Sequence, residues 1–399
     1  LTPRILQIFN RYRQRGGEEV SVDRIYRHLQ DECQVERCLF DSRSWDLPGG
    51  PGRLRQACWI GHNPQSLEVI QAASKRLHPD YWLVHNLVPV ASLGVYGDAW
   101  RARIPVIHYC HNFRPFSTSG TLWAGGKICE ASLRGNFLPE IWAGAWQGSR
   151  LKTAVLAWHL YRLRRSGALQ SVQAWIAISE FVAARFRQAG VPPERIYTLL
   201  HAWDARQPSS PHQDQGYYLF LGRLVEEKGV KVLVEAWQVL LATLGPECPK
   251  LILCGSGPLA DFLSRLRDPF IEFRGHCQGE EKRALVDGCR AMLAPTLWWE
   301  ALGLVTYEAY EAGKPMLAAA SGGLTETVRH GFTGLLYPPG DPTALARSVI
   351  ECERVEPERR AEWGQCGRNW LLQHTSPAGW KRRFRSILEH IEERKRGLA

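Results

Sequence analysis

Two carboxylates, Glu300 and Glu308, stand eight positions apart in LWWEALGLVTYEAYEAGKP (297–315), with an apolar run and Gly303 between them. A carboxylate pair can serve as acid and base on one bond. The spacing argues for a different use. If Glu300 lies on the loop before a helix that holds Glu308, eight helical positions advance about 12 Å and turn roughly 80° beyond two full turns. The two groups then reach opposite ends of an extended ligand such as a nucleotide sugar. Gly303 permits close approach, and the amides of Leu304 and Val305 at the helix start would point at an anion. A helix with one surface Glu and one N-terminal Glu favoured by the dipole has the same spacing, and the spacing alone leaves both readings open.

Arg223 and Lys228, in FLGRLVEEKGV, follow an expected strand end at Gly222. Two fixed cations there suit a diphosphate, although arginine and lysine are also common on exposed loops. RGGEE (15–19) is a Gly-Gly turn between strand and helix, neither G-x-G-x-x-G nor a P-loop, whose amides could still meet a phosphate. GSGP (255–258) reads as packing. His85, His108 and His111 end strands in the first half, with Asn86 beside the first. Each could hydrogen-bond a sugar hydroxyl or carry a proton, and each could equally be a satisfied structural histidine. No H-E-x-x-H, Asp-x-Asp or G-x-S-x-G is present, so neither a zinc peptidase, nor an Asp-chelated metal, nor a serine-hydrolase elbow has support.

These residues need elements to hold them. The chain has 399 residues, 45% of them hydrophobic and 23% charged, a globular composition long enough for about two domains. Short apolar runs alternate with amphipathic stretches, which argues for parallel α/β architecture. Expected strands are RILQIF (4–9), YWLVHN (81–86), PVIHYCHN (105–112) and AWIAIS (174–179), with a helix carrying Val20, Ile25 and Leu29 after the Gly-Gly turn and another over 180–190. DARQPSSPHQDQG (204–216) has linker composition. The pattern then restarts with YYLFLG (217–222), a helix through Val230–Leu240, KLILCG (250–255), IEFRG (271–275), AMLAP (291–295) and PMLAAA (315–320), and ends on an amphipathic helix over 378–396. Eleven scattered cysteines without a C-x-x-C pair favour a reducing compartment, and no apolar run approaches the ~20 residues of a spanning helix. No charged-then-apolar leader precedes the first strand, so a cytoplasmic location is expected. The net charge of +10, with patches at Arg11–Arg15, Arg162–Arg165 and Lys381–Arg385, favours nucleotides, phosphorylated carriers or an anionic membrane surface over nucleic acid.

LFLGRLVEEKGVKVLVEAW, LILCGSGPL, FRGHCQGEEKRAL and the long segment from LWWEALGL to YPPGD resemble, in order and spacing, the second domain of glycosyltransferase family 4, with Glu300 and Glu308 as its E-x7-E motif. YRQRGGEEVSVD, HNLVPVASLGVY, PVIHYCHNFRPF and WIAISEFVAARFRQAGVPPERI are similar to the first domain of bacterial members. The resemblance implies a GT-B fold: two Rossmann-like domains with parallel sheets facing a central cleft. An acceptor-binding domain would span 1–204, a nucleotide-sugar domain 217–377, and a C-terminal helix, 378–399, would cross back to the first. It implies retaining sugar transfer from a nucleotide diphosphate sugar, without metal or other cofactor. The acceptor would be a sugar, a lipid-linked glycan or a small molecule, with work at the inner membrane face. By the same likeness Arg223 and Lys228 would hold the diphosphate and the amides near Gly303, Leu304 and Val305 a phosphate. Glu308 would hold the ribose, and Glu300 and His111 the donor sugar. Gly17 would lie against the diphosphate, and His276 and Cys277 would pass the base. Glu300, His111, Arg223 and Lys228 are thus the expected catalytic group, with His85, Asn86 and His108 on the acceptor side. Three departures stand out: LLHAWD (199–204) where Pro-Asn-Gly precedes an Asp, Leu302 for a common Phe, and CEAS (129–132) for a cysteine pair. UDP is favoured over GDP on frequency alone. A nucleotide-sugar epimerase of the same fold, or a binding protein without turnover, are the alternatives.

Overall fold

The computed structural model describes residues 2–13, 16–206 and 214–397. Arg15 of the first basic patch and 207–213 of the expected linker lie outside the described residues. The chain divides into two compact units, Leu1–Ala202 with Pro377–Ala399, and Trp203–Ser376. Trp203 joins the second because its backbone N–H donates to the Thr375 carbonyl at 2.8 Å.

The first unit holds six parallel strands: β1 (Arg4–Arg11), β2 (Gln34–Asp41), β3 (Tyr81–Val84), β4 (Val106–Cys110), β5 (Val172–Ala177) and β6 (Ile196–Thr198). Their order is β2-β1-β3-β4-β5-β6. Ile5, Leu6, Ile8 and Phe9 are all fully buried, as expected of a parallel strand covered on both faces. Helix α1 (Gly17–Gln30) follows β1, with Glu18 and Glu19 in its first turn and Arg27 and His28 in its last. That charge placement suits the helix dipole. Val22, Ile25 and Leu29 face the core, while Val20, expected among them, is exposed. Further helices of this unit include α2 (Arg53–Trp59), α3 (Leu138–Ala143), α4 (Arg150–Arg165) and α5 (Glu180–Gln188).

The second unit repeats the plan with β7 (Tyr217–Leu221), β8 (Lys250–Cys254), β9 (Ile271–Phe273), β10 (Ala291–Ala294), β11 (Met316–Ala319) and β12 (Gly334–Tyr337), again parallel, in the order β9-β8-β7-β10-β11-β12. That is the doubly wound order, whose ligand crevice lies where the strand order reverses, outside the carboxyl ends of the strands. Here the reversal falls between β7 and β10. Helix α6 (Val230–Leu244) packs Leu233, Ala236, Trp237 and Leu240 onto Tyr218, Phe220, Leu251 and Leu253. Then come α7 (Gly279–Gly288), α8 (Val305–Glu311) and α9 (Pro357–Thr375).

Helix α10 (Pro377–Gly397) belongs to the first unit. It buries Trp380, Phe384, Ile387, Leu388 and Ile391. The Trp380 indole donates to the Tyr109 hydroxyl at 3.1 Å, and Arg394 donates to the Tyr197 hydroxyl at 2.7 Å. No helix among the described residues is long and apolar enough to cross a membrane.

Candidate functional site

In the second unit β7 delivers its cations to the expected switch point. After Leu221 the chain passes Gly222 and the exposed Arg223, buries Leu224, and makes a 3-10 turn over Glu226–Lys228. Gly229 follows at φ +74, and a Cβ there would stand 1.9 Å from the Pro295 carbonyl oxygen. Only glycine fits, so this residue locks the Lys228 turn against the end of β10.

Glu300 lies on the loop after β10, clear of α8. The Lys228 ammonium forms an ion pair with Glu300 Oε1, and the Trp298 indole N–H donates to the same oxygen at 2.9 Å. The Trp298 ring sits beneath both cations, with Lys228 Nζ 5.1 Å and the Arg223 guanidinium 5.5 Å from its centroid. Both are within cation–π range. Burial pushes the Glu300 carboxyl up, but Lys228, the Trp298 hydrogen bond and Arg223 together hold it below the ordinary range. Glu300 is therefore a carboxylate at neutral pH. Its backbone is pinned by the loop after β11: Gly323 N–H donates to the Glu300 carbonyl at 2.7 Å, and Ser321 Oγ to the Trp298 carbonyl at 2.6 Å.

Glu308 sits in the first turn of α8 and pairs with a different cation, Lys282 of α7, at 2.8 Å. The two carboxylates of the opening motif are thus held by separate lysines on separate elements. Gly303 takes φ +82, with Leu324 packed where a Cβ would be. The Leu304 and Val305 amides precede the first bonds of α8, the position at which helix N–H groups have no helical partner. His276 is exposed, whereas Cys277 is withdrawn into the unit, its sulfur 3.1 Å from that of Cys254. Of that expected base-side pair, only His276 presents its side chain to solvent.

The first unit gathers a second cluster at the carboxyl ends of β1, β3 and β4. His85 Nδ1 and His111 Nε2 are 2.8 Å apart, and Gln7 Nε2 is 3.0 Å from the other His85 nitrogen. The His111, Tyr109 and His201 rings cluster, with centroids 5.0, 5.1 and 5.6 Å apart. Burial, then the neighbouring histidines, pulls both His85 and His111 well below the usual range; burial alone takes His108 to about 3. These imidazoles are neutral at neutral pH, the form in which each ring has one donor and one acceptor nitrogen. His108 is a core residue: it lies 2.7 Å from the Tyr96 hydroxyl and against the Trp175 ring. The Asn86 side-chain amide donates to the Asn10 and Val88 carbonyls and accepts from the Val88 N–H.

Gly17 opens α1, exposed, and the informative neighbour is Glu18. Glu18 Oε2 accepts from the Tyr12 hydroxyl at 2.9 Å and from Asn112 Nδ2 at 2.8 Å. Burial pushes its carboxyl up to about 7 against the opposing pull of Tyr12, Asn112, Arg114 and the Asn86 backbone. Glu18 Oε1 and His111 Nδ1 are buried without a hydrogen bond. Both residues line one narrow cleft, with Asn86, Asn112 and Arg114. Buried polar atoms left open in this way mark a place for a polar group.

Sequence reasoning missed Trp298, Lys282 and Glu18. The Trp298 signal was an indole two residues before a strand-end carboxylate. Glu18 had only its place one residue after a Gly-Gly turn.

Comparison with known proteins covers both units. A model described as Glycosyltransferase Family 4 matches residues 15–206, and one described as Glycosyl transferases group 1 matches 202–370. A putative colanic acid biosynthesis glycosyltransferase of Salmonella typhimurium is 26% identical over 54% of this chain and 56% of its own length. A GDP-mannose-dependent phosphatidylinositol monomannoside mannosyltransferase of Mycolicibacterium smegmatis is 30% identical over 46% and 49%. The chain thus spans about half the length of these relatives. The crystal structure of Anabaena Alr3699/HepE in complex with UDP and glucose superposes with a TM-score of 0.68 over 97% of this chain and 99% of that one, at 18% identity.

Proposed function

Since the chain belongs to glycosyltransferase family 4, with the GT-B fold, we propose that it moves a sugar from a nucleotide diphosphate sugar to a hydroxyl acceptor, with retention and without a metal. The observation that carries this is the group at the end of β7, where Lys228, Arg223 and Trp298 surround one ionised carboxylate, Glu300.

The reading follows from charge. As the glycosidic bond breaks, negative charge grows on the distal phosphate of the leaving diphosphate. Arg223, Lys228 and the Leu304 and Val305 amides are donors already in place to meet it. Lys228 has an internal counterion to exchange for the diphosphate, and the freed Glu300 oxygen accepts from a sugar hydroxyl. Glu308, on its own lysine, accepts from the ribose. The leaving phosphate takes the acceptor proton from the same face, so no protein nucleophile is needed. In the first unit, the open Glu18 Oε1 and neutral His111 Nδ1 hydrogen-bond sugar hydroxyls.

UDP is the preferred nucleotide, in keeping with the Anabaena structure solved with UDP. A lipid-linked or surface-glycan acceptor at the cytoplasmic membrane face accords with the names of the Salmonella and Mycolicibacterium relatives. The test is calorimetric titration with UDP, GDP and their sugars, with and without EDTA. Binding of one nucleotide diphosphate that survives EDTA is expected. Binding of none, or binding lost with EDTA, refutes the proposal or its metal-free part respectively.

A further inference from the structure

Helix α4 carries five basic residues, Arg150, Lys152, Arg162, Arg164 and Arg165, and no acidic one. Its inner side is satisfied, with Thr153, Leu156, Ala157, Leu160 and Leu163 buried. A surface helix should then turn polar residues outward. Instead Leu151 is 76% exposed, Trp158 58% and Tyr161 41%. Positions 151, 158, 162 and 165 fall on one stripe at helical spacing, so the outward apolar residues share their face with Arg162 and Arg165. The Trp158 and Tyr161 rings stack at 6.3 Å, and Arg165 lies 5.7 Å over Tyr161.

The neighbouring helices extend the pattern. α3 packs against α4 and exposes Leu138 and Trp142. Arg150 donates to the Trp142 carbonyl at 2.8 Å and lies 5.4 Å from its ring. α2 meets α4 through His159, whose Nε2 is 2.8 Å from the Ala57 carbonyl. It carries Leu54, 87% exposed, between exposed Arg53 and Arg55. Single exposed apolar residues need no explanation. Among the described residues, however, six of the fourteen large exposed ones lie on these three touching helices.

The chemistry of the face selects its occupant. A second copy on a two-fold axis would set the cations of α4 against the same cations. An anionic lipid surface supplies phosphates to the arginines and an interfacial layer in which tryptophan and tyrosine are at home. We propose that the face built by α2, α3 and α4 docks the protein on an anionic membrane, with Leu151, Trp142 and Trp158 entering the headgroup layer and Arg150, Arg162 and Arg165 on lipid phosphates. This deepens the proposed function, resting on it only for the purpose of docking: it is where a lipid-linked acceptor is met.

The test sediments the full chain with phosphatidylcholine vesicles and with vesicles that also contain phosphatidylglycerol. Capture by the anionic vesicles alone is expected, weakened by salt. It should be about fivefold weaker for each of Arg162→Gln and Arg165→Gln, and lost in the Trp142→Ser/Trp158→Ser variant. Folding of each variant is checked by circular dichroism, and each should keep the wild-type thermal shift with UDP. Equal capture by neutral vesicles, or anionic capture unchanged in the double tryptophan variant, overturns the proposal. So does a wild-type dimer in sedimentation velocity that the tryptophan variant converts to monomer. If anionic capture holds and no nucleotide shifts the melting, docking stands and the transferase reading fails.

Discussion

At the scale of the residue, the informative contact is between Lys228 and Glu300, because each is the other's stand-in for a ligand. Lys228→Ala should cost twice. It leaves a buried carboxylate without its cation, destabilising the fold by about 3 kcal/mol. It also removes a charge-assisted contact to the diphosphate of about 1.5–3 kcal/mol, as Arg223→Ala does alone. Urea melts separate the first effect: adding Glu300→Ala to Lys228→Ala should recover much of the stability and none of the donor affinity. Because the Glu300 carboxyl is held below its ordinary range, its contribution is present above the unfolded value and disappears as pH falls through the folded one. Glu18 runs in the opposite sense. Its folded carboxyl titrates near 7 against an ordinary 4.5, so its contribution is full below 4.5 and is lost as pH rises toward 7. That loss is on the order of 2–3 kcal/mol. Glu18→Gln should flatten this part of the stability–pH curve; an unchanged slope would assign it to other groups.

At the scale of the element, the strands that the sequence made visible are those with unbroken apolar runs, such as β1, β7 and β8. Three strands of the two parallel sheets escaped it for physical reasons. All three lie at sheet edges: β2 has mixed polarity with a single buried residue, β6 has no buried residue, and β12 opens on Gly334. The E-x7-E spacing was legible, and so was the separation of its two carboxylates. Their actual partners were not, because Trp298 and Lys282 come close only after β10, α7 and α8 pack. The turn between β7 and α6 gives a sharp test of positioning. Gly229→Ala forces a left-handed residue onto the Pro295 carbonyl, and should lower stability by at least about 2 kcal/mol. Donor affinity should fall with it, because Lys228 is the preceding residue. Trp380→Ala in α10 should cost about 3–5 kcal/mol in thermal or urea melts, because it removes a buried indole and its bond to Tyr109.

At the scale of the molecule, length and linker composition were enough to announce two units of one architectural kind, and the resemblance supplied the family. The division has a calorimetric signature. A nucleotide diphosphate held by the second unit should raise its unfolding free energy by about 2.7 kcal/mol at a hundred times its dissociation constant. The shift should vanish in the Arg223→Ala/Lys228→Ala variant. The basic exposed face on α2–α4 was only half legible: the arginines showed as a run, while the outward tryptophans became visible once α4 had a buried side. Helix α10 carries a last consequence, one of timing. The sheet it covers is synthesised first and its cover last, with roughly 170 residues of the second unit in between. At about 5–20 residues per second, the Tyr109 surface waits on the order of fifteen to fifty seconds for Trp380 to arrive. Through that interval the nascent first unit carries an uncovered apolar flank, and a ribosome stalled before residue 377 should hold it protease-sensitive, whereas one stalled on an added C-terminal extension that lets residue 397 leave the exit tunnel should not.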